Sequence, residues 1–196
     1  MKLDDSKKEL KEFKIEVDGK SIKISPEKSS HWYRKVLNRE TDSIMSDEIL
    51  IDSLKIAYNL SEPDGTGFRK SKYNVFSFNL QANPKSSFGR SKQKYKAILL
   101  SEINRHSVEL SKFKSKEVLV YMCIYLRPEK YRKNDVDNFV KIILDSLKEY
   151  IGDDRNVLCV IAEKKKLENY PDEDMDFLEQ IVIYITDPSA KKDILK

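Results

Sequence analysis

The sequence predicts an α+β fold: a small mixed β-sheet with two main helices in the order β-α-β-α-β-β, plus an N-terminal hairpin-and-helix extension. Three observations predict it. Residues 117–126 are apolar on both faces, as a central strand is. Residues 137–149 place Phe139, Ile143 and Leu147 along one helical side, opposite charged residues. Residues 156–163 and 180–186 are two further β-rich runs.

The elements follow in order along the chain. Phe13, Ile15 and Val17 alternate with polar residues up to Asp18-Gly19, after which Ile22 and Ile24 alternate again, so a hairpin is expected. One helical pattern covers about 30–38, around Trp32 and Val36. Another covers about 46–58, capped by Ser46, with Ile49, Leu50, Leu54 and Tyr58 on one side. Residues 61–72 read as a turn-rich linker that closes an extension over 1–72. The larger unit, 73–196, opens with a strand over 74–80 through Val75, Phe76 and Phe78. Asn83 to Lys94 reads as a basic loop, broken by Pro84 and Gly89. A helix over 95–107 presents Tyr95, Ile98, Leu99 and Ile103. The tail from Asp187 is polar and expected to fray. No internal repeat is present.

The chain has 196 residues, enough for one domain of ordinary size, and 36% of them are charged. Mean hydropathy is -0.61, and no apolar run approaches the length of a membrane span. The opening Met-Lys-Leu-Asp-Asp-Ser-Lys-Lys lacks the apolar stretch of a signal peptide. Cys123 and Cys159 fall in apolar strand-like runs and are expected as buried free thiols of a reducing cytoplasm. His31 and His106 are too few for a typical structural zinc site with these cysteines, and both are expected at the surface. The net charge of +4 conceals a basic segment: residues 71–130 carry twelve Lys/Arg against four Asp/Glu. Such a segment attracts polyanions by releasing their counterions, unless lysine is simply abundant throughout the source proteome.

The chemistry concentrates at residues 132–154. Asp135 and Asp137 stand two residues apart at the mouth of the amphipathic helix, Lys141 lies one turn in, and Asp153-Asp154 follow past its end. Concentrated carboxylates repel one another unless a hard cation sits among them, and Mg²⁺ prefers such oxygen ligands. Either Asp135 or Asp137 alone could be a helix cap. Asp137, Lys141 and Asp145 could equally be a solvated ladder of ion pairs. A metal-dependent phosphodiesterase needs two or three carboxylates and a lysine, which Asp135, Asp137, Asp154 and Lys141 supply. Asp137 to Tyr150 spans about 20 Å as helix, and the residues on to Asp154 reach roughly 14 Å when extended. Asp154 therefore rejoins Asp137 within one chain only if the helix ends early; an antiparallel partner helix across a two-fold axis serves more easily. The acidic run Asp172 to Asp176 reads as a solvated turn.

At these residues the chain resembles the RusA family of Holliday-junction resolvases. The match is Asp-x-Asp-Asn-x-x-Lys at Asp135, Asp137, Asn138 and Lys141, then Asp145, then Asp153-Asp154, a hydrophobic strand, and Lys164 to Lys166. It covers about 74–186, the nuclease domain of the family. The resemblance implies a homodimeric, Mg²⁺-dependent endonuclease, with Mn²⁺ as a substitute ion, that resolves four-way DNA by paired nicks in recombination and repair. It implies Asp135, Asp137 and Asp154 as catalytic metal ligands, Lys141 as the catalytic lysine, and Asp153 as the lesser of its pair. Lys85, Arg90, Lys92 and Lys94 stand where the family carries a DNA-contacting loop, with one proline and one arginine here. Arg132 and Lys133 are the further expected DNA contacts. Residues 1–72 have no counterpart in the compact family members. A nuclease for flaps or other branched DNA and a non-catalytic junction-binding module are the competing readings.

Overall fold

Two strands, Val118–Leu126 and Gln180–Thr186, carry apolar side chains on both faces and are buried throughout. A sheet of that kind must be covered on both faces. In the computed structural model, which describes residues 13–24, 47–65, 69–81, 90–167 and 179–196, it is. The sheet is formed by β5 (Val75–Gln81), β6 (Val118–Leu126), β7 (Val157–Lys166) and β8 (Gln180–Thr186), in the spatial order β5-β8-β6-β7. β8 pairs antiparallel with β5 and with β6, whereas β7 runs parallel to β6. Every residue of β6 is buried, as the sequence predicts for a central strand.

One face carries Phe76, Phe78, Val120, Met122, Ile124, Ile183 and Ile185. It packs against α2 (Arg90–Asn104) through Leu99 and Ile103, and against α5 (Val136–Ile151) through Phe139, Ile143 and Leu147. The α+β order β-α-β-α-β-β is present along the described chain, with two short helices added, α3 (Ser107–Ser111) and α4 (Pro128–Lys133).

The opposite face carries Leu119, Tyr121, Cys123, Val182 and Tyr184. It is covered by α1 (Asp47–Asn59) and by the hairpin of β1 (Phe13–Val17) and β2 (Lys20–Ile24). The described part of 1–72 thus shares a core with the sheet. Asp52 of α1 pins the layers together, accepting hydrogen bonds from the Tyr125 hydroxyl at 3.0 Å and from Lys165 Nζ at 2.8 Å. The hairpin turns as Asp-Gly predicts, with φ of 51° at Asp18 and 70° at Gly19.

Four expectations need correction. Residues 61–72 contain a second hairpin, β3 (Ser61–Pro63) and β4 (Arg69–Ser71). Arg69 builds it: its guanidinium lies 3.8 Å from the centre of the Tyr58 ring and donates to Ser61 Oγ, Ser61 O and Tyr58 O. The basic segment is helical from Arg90 onward, because lysine is a good helix former and its charge alone does not make a loop. The tail does not fray. It forms a 3-10 turn and α6 (Lys191–Ile194), with Ala190 and Ile194 in the core and Asp193 anchored by Lys72, Tyr73 and Lys196. His106 is half-buried, its ring centre 5.2 Å from that of Phe78.

Cys123 is buried and Cys159 half-buried, both as free thiols. The helix expected at 30–38, the Ser46 cap, His31, Lys85 and the run Asp172 to Asp176 lie outside the described residues. Among the described residues no helix is long and apolar enough to cross a membrane.

Candidate functional site

The chain from β6 leads to the acid pair at the mouth of α5, and it is braced along its length. Glu179, just ahead of β8, is 1% exposed. A buried carboxylate is costly unless paired, and Glu179 accepts from the Arg127 backbone N–H at 3.2 Å and from Arg127 Nε at 3.1 Å, while Lys130 Nζ reaches its other oxygen. Both cations belong to the start of α4. At the far end of α4, Asn134 Nδ2 donates to Lys130 O at 2.8 Å. Lys164 of β7 donates from Nζ to Asn134 O at 2.8 Å and lies 4.6 Å from the centre of the Tyr131 ring.

Asp135 follows as the N-cap of α5 by position, with φ -84° and ψ 143°, yet its side chain makes no capping hydrogen bond. Asp137 lies in the first turn. Both are exposed, and among the described residues neither side chain is engaged in a hydrogen bond or ion pair. The two Cα atoms are at most about 7 Å apart. Lys141, also exposed, is one turn further along the same side. Asp145 is paired with Lys148, 3.2 Å away, rather than with Lys141 as the ladder of Asp137, Lys141 and Asp145 expects.

The cationic residues gather at the same end of the sheet. β5 and β6 run in the same direction, since each is antiparallel to β8, so α2 and α5 both begin beyond the ends of these strands. Their C-terminal turns meet where the Tyr150 hydroxyl donates to Asn104 Oδ1 at 3.4 Å. The start of α2, with Arg90, Lys92 and Lys94, therefore lies toward the acid pair. Lys94 is exposed, as are Arg132 and Lys133 in the last turn of α4.

Asp154 is elsewhere. The 16 residues of α5 span about 24 Å, and Gly152 with φ 95° turns the chain away at its far end. There the Ser115 N–H donates to Ile151 O at 3.2 Å, beside the start of β6, and a 3-10 turn over Asp154–Asn156 leads into β7. One chain thus brings together Asp135, Asp137 and Lys141, but not Asp154. Asp153 is occupied by Arg155, whose backbone N–H and Nε both donate to it, and these bonds hold its carboxyl below the usual range.

Among the described residues no three His, Cys, Asp or Glu side chains converge as a metal site. Two carboxylates still fit a Mg²⁺ ion, which commonly takes one or two from protein and completes its shell with water and phosphate. Sequence reasoning gave no role to Glu179 or to the Lys164 bond. Glu179 has one visible signal, a charge set directly against a strand apolar on both faces. A scan against protein-family models finds no match to this chain, and a search of curated proteins finds none either.

Proposed function

We propose that this chain is a metal-dependent endodeoxyribonuclease of the RusA type, acting on branched DNA and on the four-way Holliday junction in particular. The observation that carries the reading is the mouth of α5: two carboxylates, exposed and uncapped, on a braced loop, with a lysine one turn on. Carboxylates serving only as caps would be bonded to the free N–H groups they face.

A Mg²⁺ or Mn²⁺ ion held by Asp135 and Asp137 would polarise the scissile phosphate and supply an attacking water at neutral pH. Lys141 neutralises charge on the phosphate oxygens. Arg132, Lys133, Lys94, Arg90, Lys92 and Lys85 hold the DNA backbone without reading bases, so affinity falls steeply with salt. Asp154 completes the site from a second copy: in a homodimer with the two α5 helices antiparallel, the far end of one lies beside the mouth of the other. The edge strand β7 exposes Leu158 and Val160, apolar surface suited to that contact. The reduced thiols suit a cytoplasmic protein of DNA recombination and repair.

The test is a labelled synthetic four-way junction, with linear and flap DNA as controls, in Mg²⁺ or EDTA. Symmetric Mg²⁺-dependent nicks on the junction, absent with Asp137→Asn, are expected. Cleavage of flaps alone would keep the chemistry and change the substrate. The convergence of only two acids within one chain favours one competing reading, a non-catalytic junction-binding module. Binding without cleavage in either metal would establish it.

A further inference from the structure

We propose that Lys164 is a positioning residue for the acid pair, setting the direction of Asp135 through the peptide bond that precedes it. The inference rests on the metal-site reading of Asp135 and Asp137. It starts from one contact, the 2.8 Å hydrogen bond from Lys164 Nζ to Asn134 O. That carbonyl belongs to the peptide unit whose nitrogen is Asp135 N. A peptide is planar, so fixing its carbonyl direction fixes the plane from which Asp135 departs.

Each end of this arrangement is rigid. Lys164 sits in β7 opposite Ile124 of the fully buried β6, and Leu167 N–H donates to Leu126 O at 2.9 Å just beyond. The Asn134 N–H is held by Lys130 O at 3.1 Å, and Lys130 itself by the buried Glu179. The Tyr131 ring covers one side of the ammonium. After the Asn134–Asp135 peptide is set, only the Asp135 dihedrals stand between the sheet and the helix, and α5 dictates the second of them. The carboxylate direction is thus referred to the sheet rather than left to a surface loop. Each chain offers the cation only two of its own carboxylates, so misdirecting either one removes half of that chain's grip on it.

The experiment measures Mn²⁺ binding to the full chain by titration calorimetry without DNA, together with the metal dependence of junction cleavage. Wild type is expected to bind Mn²⁺, and Asp137→Asn to lose it. Lys164→Met is expected to weaken Mn²⁺ binding about 10–100-fold and to raise the half-saturating metal for cleavage by the same factor. Lys164→Arg, which keeps a donor, should recover most of both. If the methionine variant does not fold, Lys164→Gln, with a shorter donor, takes its place. Unchanged Mn²⁺ affinity with weakened DNA binding would overturn the proposal and make Lys164 a phosphate contact. A wild type with no Mn²⁺ binding sensitive to Asp137→Asn would overturn the metal-site reading itself, and this inference with it.

Discussion

Asp193 shows how much one side chain can organise. It accepts from Lys196 Nζ at 2.7 Å, from Lys72 Nζ, and from the Tyr73 hydroxyl at 2.7 Å, joining the tail to the turn just ahead of β5. These donors, Lys196 first and then Lys72, hold its carboxyl well below the usual carboxylate range. A depressed folded-state pKa means stability that is fully present above the unfolded value of about 3.9 and is lost as pH falls below it toward the folded value. Asp193→Asn should therefore cost about 1–2 kcal/mol at pH 7, with a gap to wild type that closes below about pH 4; urea midpoints at the two pH values check this. The Cys123 thiol is raised to about 11, chiefly by burial, which leaves it a poor nucleophile at neutral pH. Single residues were legible in the sequence when their chemistry lay among neighbours. Asp135 and Asp137 stood out as candidates by spacing, and the structure leaves both exposed at the mouth of α5. The bond made by Lys164 did not stand out, because its partner lies 30 residues away and is a backbone carbonyl.

Elements were legible where periodicity and turn chemistry agreed. The Asp18-Gly19 hairpin, the central strand and the amphipathic α5 all fall where alternation or helical spacing puts them. Reading failed where composition was taken for conformation. The basic run from Arg90 is the start of a helix, and a segment rich in Gly and Pro is a hairpin. The second failure has one cause, Arg69, whose bonds reach back to Tyr58 and Ser61. Arg69→Ala removes a cation–π contact and three hydrogen bonds at once. It should destabilise the protein by about 1–3 kcal/mol, seen as a lower Tm, while leaving metal binding unchanged.

At the scale of the whole molecule, the sheet has two ends with different contents. One holds Asp135, Asp137 and Lys141 among cationic residues; the other holds Asp153 and Asp154. Asp154 could rejoin Asp137 within one chain only if the helix ended early, and the helix runs unbroken through 16 residues. The sequence did not reveal that the described N-terminal elements form the second covering layer, since their partners lie on β6 and β8, far along the chain. If the site is shared between copies, mixing Asp137→Asn subunits with Asp154→Asn subunits should restore about a quarter of wild-type cleavage. Half of the dimers are then mixed, each with one intact site. No recovery over either parent would count against a site shared between copies.

If the site is shared between two copies, the unbroken length of α5 has a consequence for branched DNA. Two composite sites built at opposite ends of an antiparallel helix pair stand about one helix length apart, roughly 24 Å. Along one strand of B-form DNA that distance covers about seven phosphates. On the nuclease reading the helix would then work as a caliper, admitting for double incision only a substrate that can open its two scissile phosphates to that gap. A branched molecule locked too narrow or too wide should accumulate as singly nicked product, and the ratio of nicked to fully resolved DNA would read the caliper's setting.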